Sequence, residues 1–199
     1  MTKARTLADF NIAGVLTSAS SLNAANLHSG TIPNERYGTP TFNGSNLTNI
    51  DTGEINTPAF AVRSAFSFTQ TVASATWTKV NFAISDVDTD STFSLTHDVF
   101  TVPSGKAGLY SFQYSAQNAL KASSNNVYQI GLYKNGSLQG GTLVRQNPTT
   151  TGNYDVYLNG SASLELAVGD YVEVYYYQNT GNVVTLQNDN MRFSGFKVT

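Results

Sequence analysis

The sequence predicts an all-β chain, a two-sheet sandwich of the jelly-roll type, on three observations. First, apolar residues alternate with polar or small ones in segment after segment: Val80, Phe82 and Ile84; Tyr110, Phe112 and Tyr114; Tyr128, Ile130 and Leu132. Tyr154, Val156 and Leu158 continue the pattern, as do Leu164, Leu166 and Val168, and near the end Phe196 and Val198 oppose Phe193 and Gly195. A period of two marks strands with one buried face. Second, turn-forming groups punctuate the pattern at Ser104-Gly105, Lys134-Asn135-Gly136, Asn159-Gly160 and Gly169-Asp170,. Third, no window of about a dozen residues in this region carries a helical stripe. About eight to ten short antiparallel strands close into a sandwich or barrel.

Before these strands comes a different kind of sequence. Residues 1–57 hold two Phe and one Tyr among many Asn, Thr and Gly, whereas the single Trp and most aromatics follow residue 58. An extended N-terminal arm (1–57) therefore precedes a packed domain (58–199). The arm repeats N-x-x-N-L at Asn23–Leu27 and Asn43–Leu47. Two copies do not make a solenoid. Its isolated apolar residues Leu27, Ile32, Leu47 and Ile50 need a partner surface, and they are the expected anchor. A free linker is the plainer reading of the same residues.

Composition excludes several function classes. The chain has 199 residues, a formal charge of −2, 12% charged residues and no cysteine. Backbone recognition of nucleic acid needs clustered Lys and Arg, and none is present. Without cysteine there are no disulfides, thiol nucleophiles or cysteine zinc sites. The two histidines, His28 and His97, leave little for general-base chemistry, so no catalytic residue is assigned. No stretch approaches the roughly 20 apolar residues that span a bilayer. Lys3 and Arg5 precede a run broken by Asp9 and Asn11, which does not read as a secretory leader. Synthesis in a cytoplasm is expected, and the four N-x-S/T matches, at Asn43, Asn46, Asn135 and Asn159, are discounted accordingly.

Three ordered segments are more specific than the β pattern. Phe100-Thr-Val-Pro-Ser-Gly-Lys-Ala-Gly108-Leu-Tyr110-Ser-Phe112-Gln-Tyr114 resembles the signature of the C1q domain of the C1q/TNF superfamily, a Phe leading into G-x-Y-x-F-x-[FY]. Leu164-Glu-Leu166-Ala-Val168-Gly169-Asp170-Tyr-Val172 resembles its L-x-L-x-x-G-D-x-V hairpin, and Phe193-Ser-Gly-Phe196 its closing strand. The stretch from Phe100 to Gly108 is longer than in that family, which places an enlarged loop at Pro103–Lys106. The resemblance implies a ten-stranded jelly roll assembled as a homotrimer. On physical grounds, Gly108 suits a loop-to-strand transition at positive φ and Gly195 a close approach between Phe193 and Phe196.

The arm carries a second resemblance. Leu27-His-Ser-Gly30-Thr-Ile32-Pro33-Asn-Glu-Arg36 followed by Asn43-Gly-Ser-Asn-Leu-Thr-Asn-Ile-Asp51 is similar to segments of tail-fibre and fibre-like proteins of tailed bacteriophages. It implies a virion context, with the arm docking on other virion proteins and the domain facing outward.

The candidate sites follow. Tyr175 and Tyr177 share one strand face with Glu173, while Tyr176 points the other way with Val172 and Val174. The pair is either a subunit interface or a platform for stacking the sugars of a host glycan, since Tyr joins a large apolar area to a polar tip. Polar loops carry function more often than strands do, which makes Asn125 and Asn126 (121–126), Asn153 (146–153) and Asn182 (179–182) candidate contacts. Asp86, Asp88 and Asp90 are candidate calcium ligands, against the reading of a solvated loop. The EF-hand pattern fails there, with Ser91 at position six and His97 at position twelve,. His97 beside Asp98 reads as a strand-end or interface residue, because no nucleophile accompanies it. The expected function is a bacteriophage short fibre, knob or decoration protein with a trimeric head that binds a host-surface glycan or receptor, or a virion partner. A secreted C1q-like lectin is the alternative. A fibre-associated depolymerase would need paired carboxylates in a cleft.

Overall fold

The computed structural model describes residues 56–118, 126–149, 152, 154–187 and 190–199, all within the second of the chain's two units, Asp51–Thr199. The arm with Leu27, Ile32, Leu47 and Ile50 lies outside the described residues, as do Asn125 and Asn153.

The described residues form two antiparallel sheets. The first contains β1 (Ala59–Arg63), β2 (Gln70–Val72), β4 (Ile84–Asp88), β7 (Gly108–Asn118), β11 (Val156–Leu166), β13 (Val184–Leu186) and β14 (Arg192–Lys197). The second contains β3 (Thr78–Lys79), β5 (Phe93–Ser94), β6 (Val99–Thr101), β8 (Tyr128–Lys134), β9 (Ser137–Leu138), β10 (Val144–Gln146) and β12 (Tyr171–Gln178). Their spatial order places β1-β14-β7-β11 in one sheet and β6-β12-β8-β10 in the other. The chain crosses repeatedly between the two sheets, from β6 to β7, β7 to β8, β10 to β11, β11 to β12 and β12 to β13, as in a jelly roll. Against the ten strands expected, fourteen segments occur among the described residues, because the sheet margins are broken into short pieces.

The inward phase of each strand fills one core. Tyr110, Phe112 and Tyr114 of β7 in the first sheet and Tyr128, Ile130 and Leu132 of β8 in the second all belong to this core and are buried. Phe60 stacks on Phe93 and Phe100 at centroid distances of 5.3 and 4.8 Å and meets Phe193 edge-on at 4.9 Å. Each such ring contributes about 1.5–3 kcal/mol by leaving water. Glycine is required where rings or chains come close. A Cβ on Gly195 would sit 2.5 Å from the Phe112 ring and 2.9 Å from that of Phe60. Gly108, at φ +143°, faces the Thr199 carbonyl, which a Cβ would strike.

Three local expectations change. Asn159-Gly160 is not a turn: β11 runs through it, paired with β7 from Val156↔Asn118 to Leu166↔Gly108. Gly160 serves close packing instead, because the Tyr114 ring occupies the space a Cβ would need. The Val80–Phe82–Ile84 alternation is correct in burial, but Val80–Ala83 is an irregular crossing from β3 in the second sheet to β4 in the first. Finally, Asp86 and Asp88 lie on β4 rather than in a loop, because that segment pairs with β1 (Phe60↔Asp88, Ala61↔Val87); only Asp90 belongs to the turn that follows.

Gly169-Asp170 does turn, between β11 and β12, with Gly169 at φ +83°. Asn135 and Gly136, at φ +50° and +75°, form the β8–β9 hairpin turn, in which both central residues have positive φ,. Asp170 ties the two turns together. Its carboxylate accepts from the Ala167 N–H (2.9 Å) and the Asn135 amide (2.7 Å) and pairs with Lys134 Nζ at 2.8 Å.

Candidate functional site

Two sheet faces and one loop cluster offer themselves to partners. The outward face of the second sheet is built from the odd-numbered phase of β12. Tyr171, Glu173, Tyr175 and Tyr177 project from it, while Val172, Val174 and Tyr176 are buried on the other side, as the alternation requires. Register places Lys79 of β3 opposite Tyr175, and Gly131 and Tyr133 of β8 opposite Tyr175 and Glu173. The rings join into one layer. Tyr133 lies 4.0 Å from Tyr175, and Trp77 lies 5.9 Å from Tyr133 and 5.2 Å from Tyr177, between centroids. Burial pushes the Tyr133 and Tyr175 phenols up from their ordinary value.

An internal ion pair underlies this layer. Lys79 Nζ lies 2.7 Å from a carboxylate oxygen of Glu173, which is only 7% exposed, and it also donates to the His97 carbonyl at 3.0 Å. Burial alone would lower the ammonium, but the bond and charge of Glu173 outweigh it and raise its pKa.

The outward face of the first sheet is of another character. One row across five strands reads Val87–Ala61–Ser194–Gln113–Ser161, and the next reads Ala59–Phe196–Ser111–Ser163. Neither row contains a charge. Arg63, Arg192, Ser115 and Asn159 form the row beyond, with Arg63 Nε paired to Asp86 at 2.9 Å. A groove of about 620 Å³ crosses this face, lined by Ala61, Gln113, Ser161, Arg192 and Ser194 among others, and a second of about 180 Å³ reaches Val87 and Phe196.

The loops gather at one end of the sandwich. Asn126 accepts the Asn147 amide through its carbonyl at 3.2 Å, and Asn179 Oδ1 accepts the neighbouring Val127 N–H at 2.6 Å. The Asn182 carbonyl accepts from Gln178 Nε2 at 2.8 Å. Asn126 and Asn182 thus flank the end of β12 that carries Tyr177, so sequence-nominated residues from three segments converge there.

The aspartates serve the turn after β4. Asp88 Oδ1 accepts from the Thr92 N–H and hydroxyl at 2.7 and 3.1 Å, and Oδ2 from the Phe93 N–H at 3.1 Å. Asp86 holds Arg63, and Asp90 accepts the Thr89 hydroxyl at 3.4 Å. No group of three or more His, Cys, Asp or Glu side chains gathers among the described residues. His97 stands in the turn before β6, its Nδ1 3.0 Å from Ser94 Oγ. Asp98 turns inward to accept the Phe82 N–H at 2.7 Å, and burial raises its pKa despite that bond and the nearby Lys79 and His97.

Tyr175 and Tyr177, named from the sequence, lie in this ring layer together with Trp77 and Tyr133, which the sequence reading did not name. The signal was present: Tyr133 is out of phase with Tyr128, Ile130 and Leu132, and therefore faces outward.

Neither protein-family models nor curated proteins give a match to the chain. Among solved structures it is similar to the globular domain of a zebrafish complement 1qA protein, at 18% identity and a TM-score of 0.45, over 71% of this chain and 98% of that one. It is also similar to Eiger TNF from S. frugiperda, at 14% identity and a TM-score of 0.48, over 71% of this chain and 92% of that one.

Proposed function

We propose that the protein is a non-catalytic, homotrimeric binding head, and that residues 1–57 attach it to a bacteriophage particle. One observation carries the trimer: two adjacent rows across the first sheet contain no charge, and the charged residues stand beyond them. Depletion of charge at the centre with charge at the rim is the composition of a subunit interface. Small side chains at Ala59, Ala61, Ser111, Ser161 and Ser194 let a second backbone approach closely. A closed ring would cover the exposed Val87, Phe196 and Val198,. The C1q-like motifs of the sequence support the same assembly.

The experiment places charge at the centre of that face. Gln113→Arg combined with Ser194→Arg puts two like charges side by side in every copy, since the two positions are directly paired. Sedimentation velocity should show the variant as a slower, smaller species than the unchanged chain, with the same far-ultraviolet circular dichroism. Equal sedimentation of both would contradict the assignment of this face. Repeating the run in EDTA tests Asp86, Asp88 and Asp90 as calcium ligands, because a metal requirement would appear as EDTA-sensitive mass.

The virion context rests on the similarity of Leu27–Asp51 to phage fibre segments. It predicts that purified particles contain the chain in multiples of three, read by quantitative mass spectrometry. A head of three equivalent sites, repeated on each particle, would turn weak single-site binding into firm attachment.

A further inference from the structure

We infer that the outward face of the second sheet, centred on Trp77, Tyr133, Tyr175 and Tyr177, is a stacking platform for a neutral oligosaccharide. The inference rests on the reading of the domain as a binding head and names the ligand class for one of its faces. Three features of that face specify the ligand.

The first is shape. The four rings form a continuous layer, each half-buried, with centroid spacings of 4.0 to 5.9 Å along the chain of contacts Tyr175–Tyr133–Trp77–Tyr177. Beside Tyr175 the sheet carries Gly131, above which lie methyl groups of Leu138 and Leu143, 3.0 and 3.4 Å from where a Cβ would stand. On the β8 side of Tyr175 the rings are thus continued by leucine methyls, with the Thr142 hydroxyl 3.7 Å from the same point, while Lys79 flanks Tyr175 on the β3 side. A broad aromatic surface of this kind matches the C–H faces of pyranose rings. A protein anchor instead seeks a pocket that encloses an aromatic or aliphatic side chain.

The second is polarity. Three of the four rings end in a phenol and the fourth in an indole N–H, so apolar faces are bordered by donors and acceptors at the ring edges. A polyhydroxyl ligand uses both, stacking through carbon and bonding through oxygen.

The third is charge. The ionic pair on this face, Lys79 and Glu173, is closed on itself at 2.7 Å, and Lys79 spends a further hydrogen on the His97 carbonyl. Among the rings themselves the charges are thus this closed pair. Arg145 of β10 stands in the row of Tyr177 but beyond Gln129, its Nε donating to Asn147 Oδ1. Electrostatic complementarity at the centre of the platform therefore favours an uncharged chain over an acidic polysaccharide or a nucleic acid. The loop end with Asn126 and Asn182 adjoins Tyr177, so amide groups flank one end of the platform.

Trp77 is the only tryptophan of the sequence, which makes its emission a reporter confined to this face. The full chain is titrated with maltohexaose, cellohexaose, mannohexaose and galactohexaose, and with hexagalacturonate as the acidic counterpart. The expected result is a saturable change in Trp77 emission with at least one neutral hexasaccharide and weaker binding of hexagalacturonate. Tyr175→Ala and Tyr133→Ala should each weaken the neutral ligand by about tenfold or more, and Tyr157→Ala, on the other sheet, should leave it unchanged. Circular dichroism checks each fold, and Tyr175→Leu replaces any alanine variant that does not fold.

Silence of Trp77 emission with all four neutral sugars would overturn the inference. So would preference for hexagalacturonate, or unchanged binding in both platform variants. Self-association abolished by Trp77→Ala would assign the face to a protein contact and overturn it as well. Solution mass separates this inference from the trimer: sugar binding by a monomer would sink the oligomer alone, and a trimer blind to sugars would sink the platform alone.

Discussion

Asp170 shows how far a single residue reads ahead of its structure. The pair Gly169-Asp170 announces a turn, but the groups that fix Asp170 come from the turn at Lys134–Gly136, more than thirty residues earlier. The hydrogen bond from Lys134, then that from Asn135, then that from the Ala167 N–H, hold its pKa down at about 2, from an ordinary 3.8. Its folded value lies below its unfolded one. Its contribution to stability is therefore complete above about pH 4 and fades as the pH falls toward 2. Urea midpoints measured across that interval should fall more steeply for the unchanged chain than for Asp170→Asn; parallel profiles would contradict this role. Tyr176 makes the opposite case. Among the described residues its buried hydroxyl has no hydrogen-bond partner, and burial raises its pKa. Removing an unsatisfied buried hydroxyl recovers its desolvation cost, so Tyr176→Phe should stabilise the protein by about 1 kcal/mol. A loss of stability in denaturant titration would show that the hydroxyl is used.

At the scale of elements, strand phase was legible and strand limits were not. Alternation assigned the inward residues of β7, β8 and β12 correctly, because a period of two is set by the backbone itself. Asn159-Gly160 misled because its local turn preference yields to eleven consecutive pairings with β7. The same competition drew Asp86 and Asp88 onto β4, where pairing with β1 outweighs local polarity. Gly195 was legible as a close-approach position between Phe193 and Phe196, but the rings that hold it, Phe112 and Phe60, and the Tyr114 ring that holds Gly160 come from other strands. Gly195→Ala would drive a methyl group against Phe112 and Phe60, and overpacking of this kind costs about 1–3 kcal/mol. An unchanged midpoint would mean that the rings shift freely. The paired β7 and β11 should also hold the slowest-exchanging amides, those at the centre of their ladder.

For the whole molecule, the sandwich separates two outward faces of different chemistry. The first sheet presents uncharged rows of small residues, and the second presents rings over a closed ion pair. The sequence indicated the fold through motifs spread over most of residues 58–199, yet the two faces emerge only when register brings distant strands side by side. Trp77, which precedes β3, and Tyr133 of β8 come from opposite sides of β12, and Ala61, Ser194 and Gln113 meet from three parts of the chain. In the proposed assembly the uncharged face closes a threefold ring, and the solution mass of the full chain by light scattering tests this most directly. A closed trimer gives three times the 21.4 kDa of one chain across a wide range of protein concentration. A mass of one chain at every concentration would contradict it.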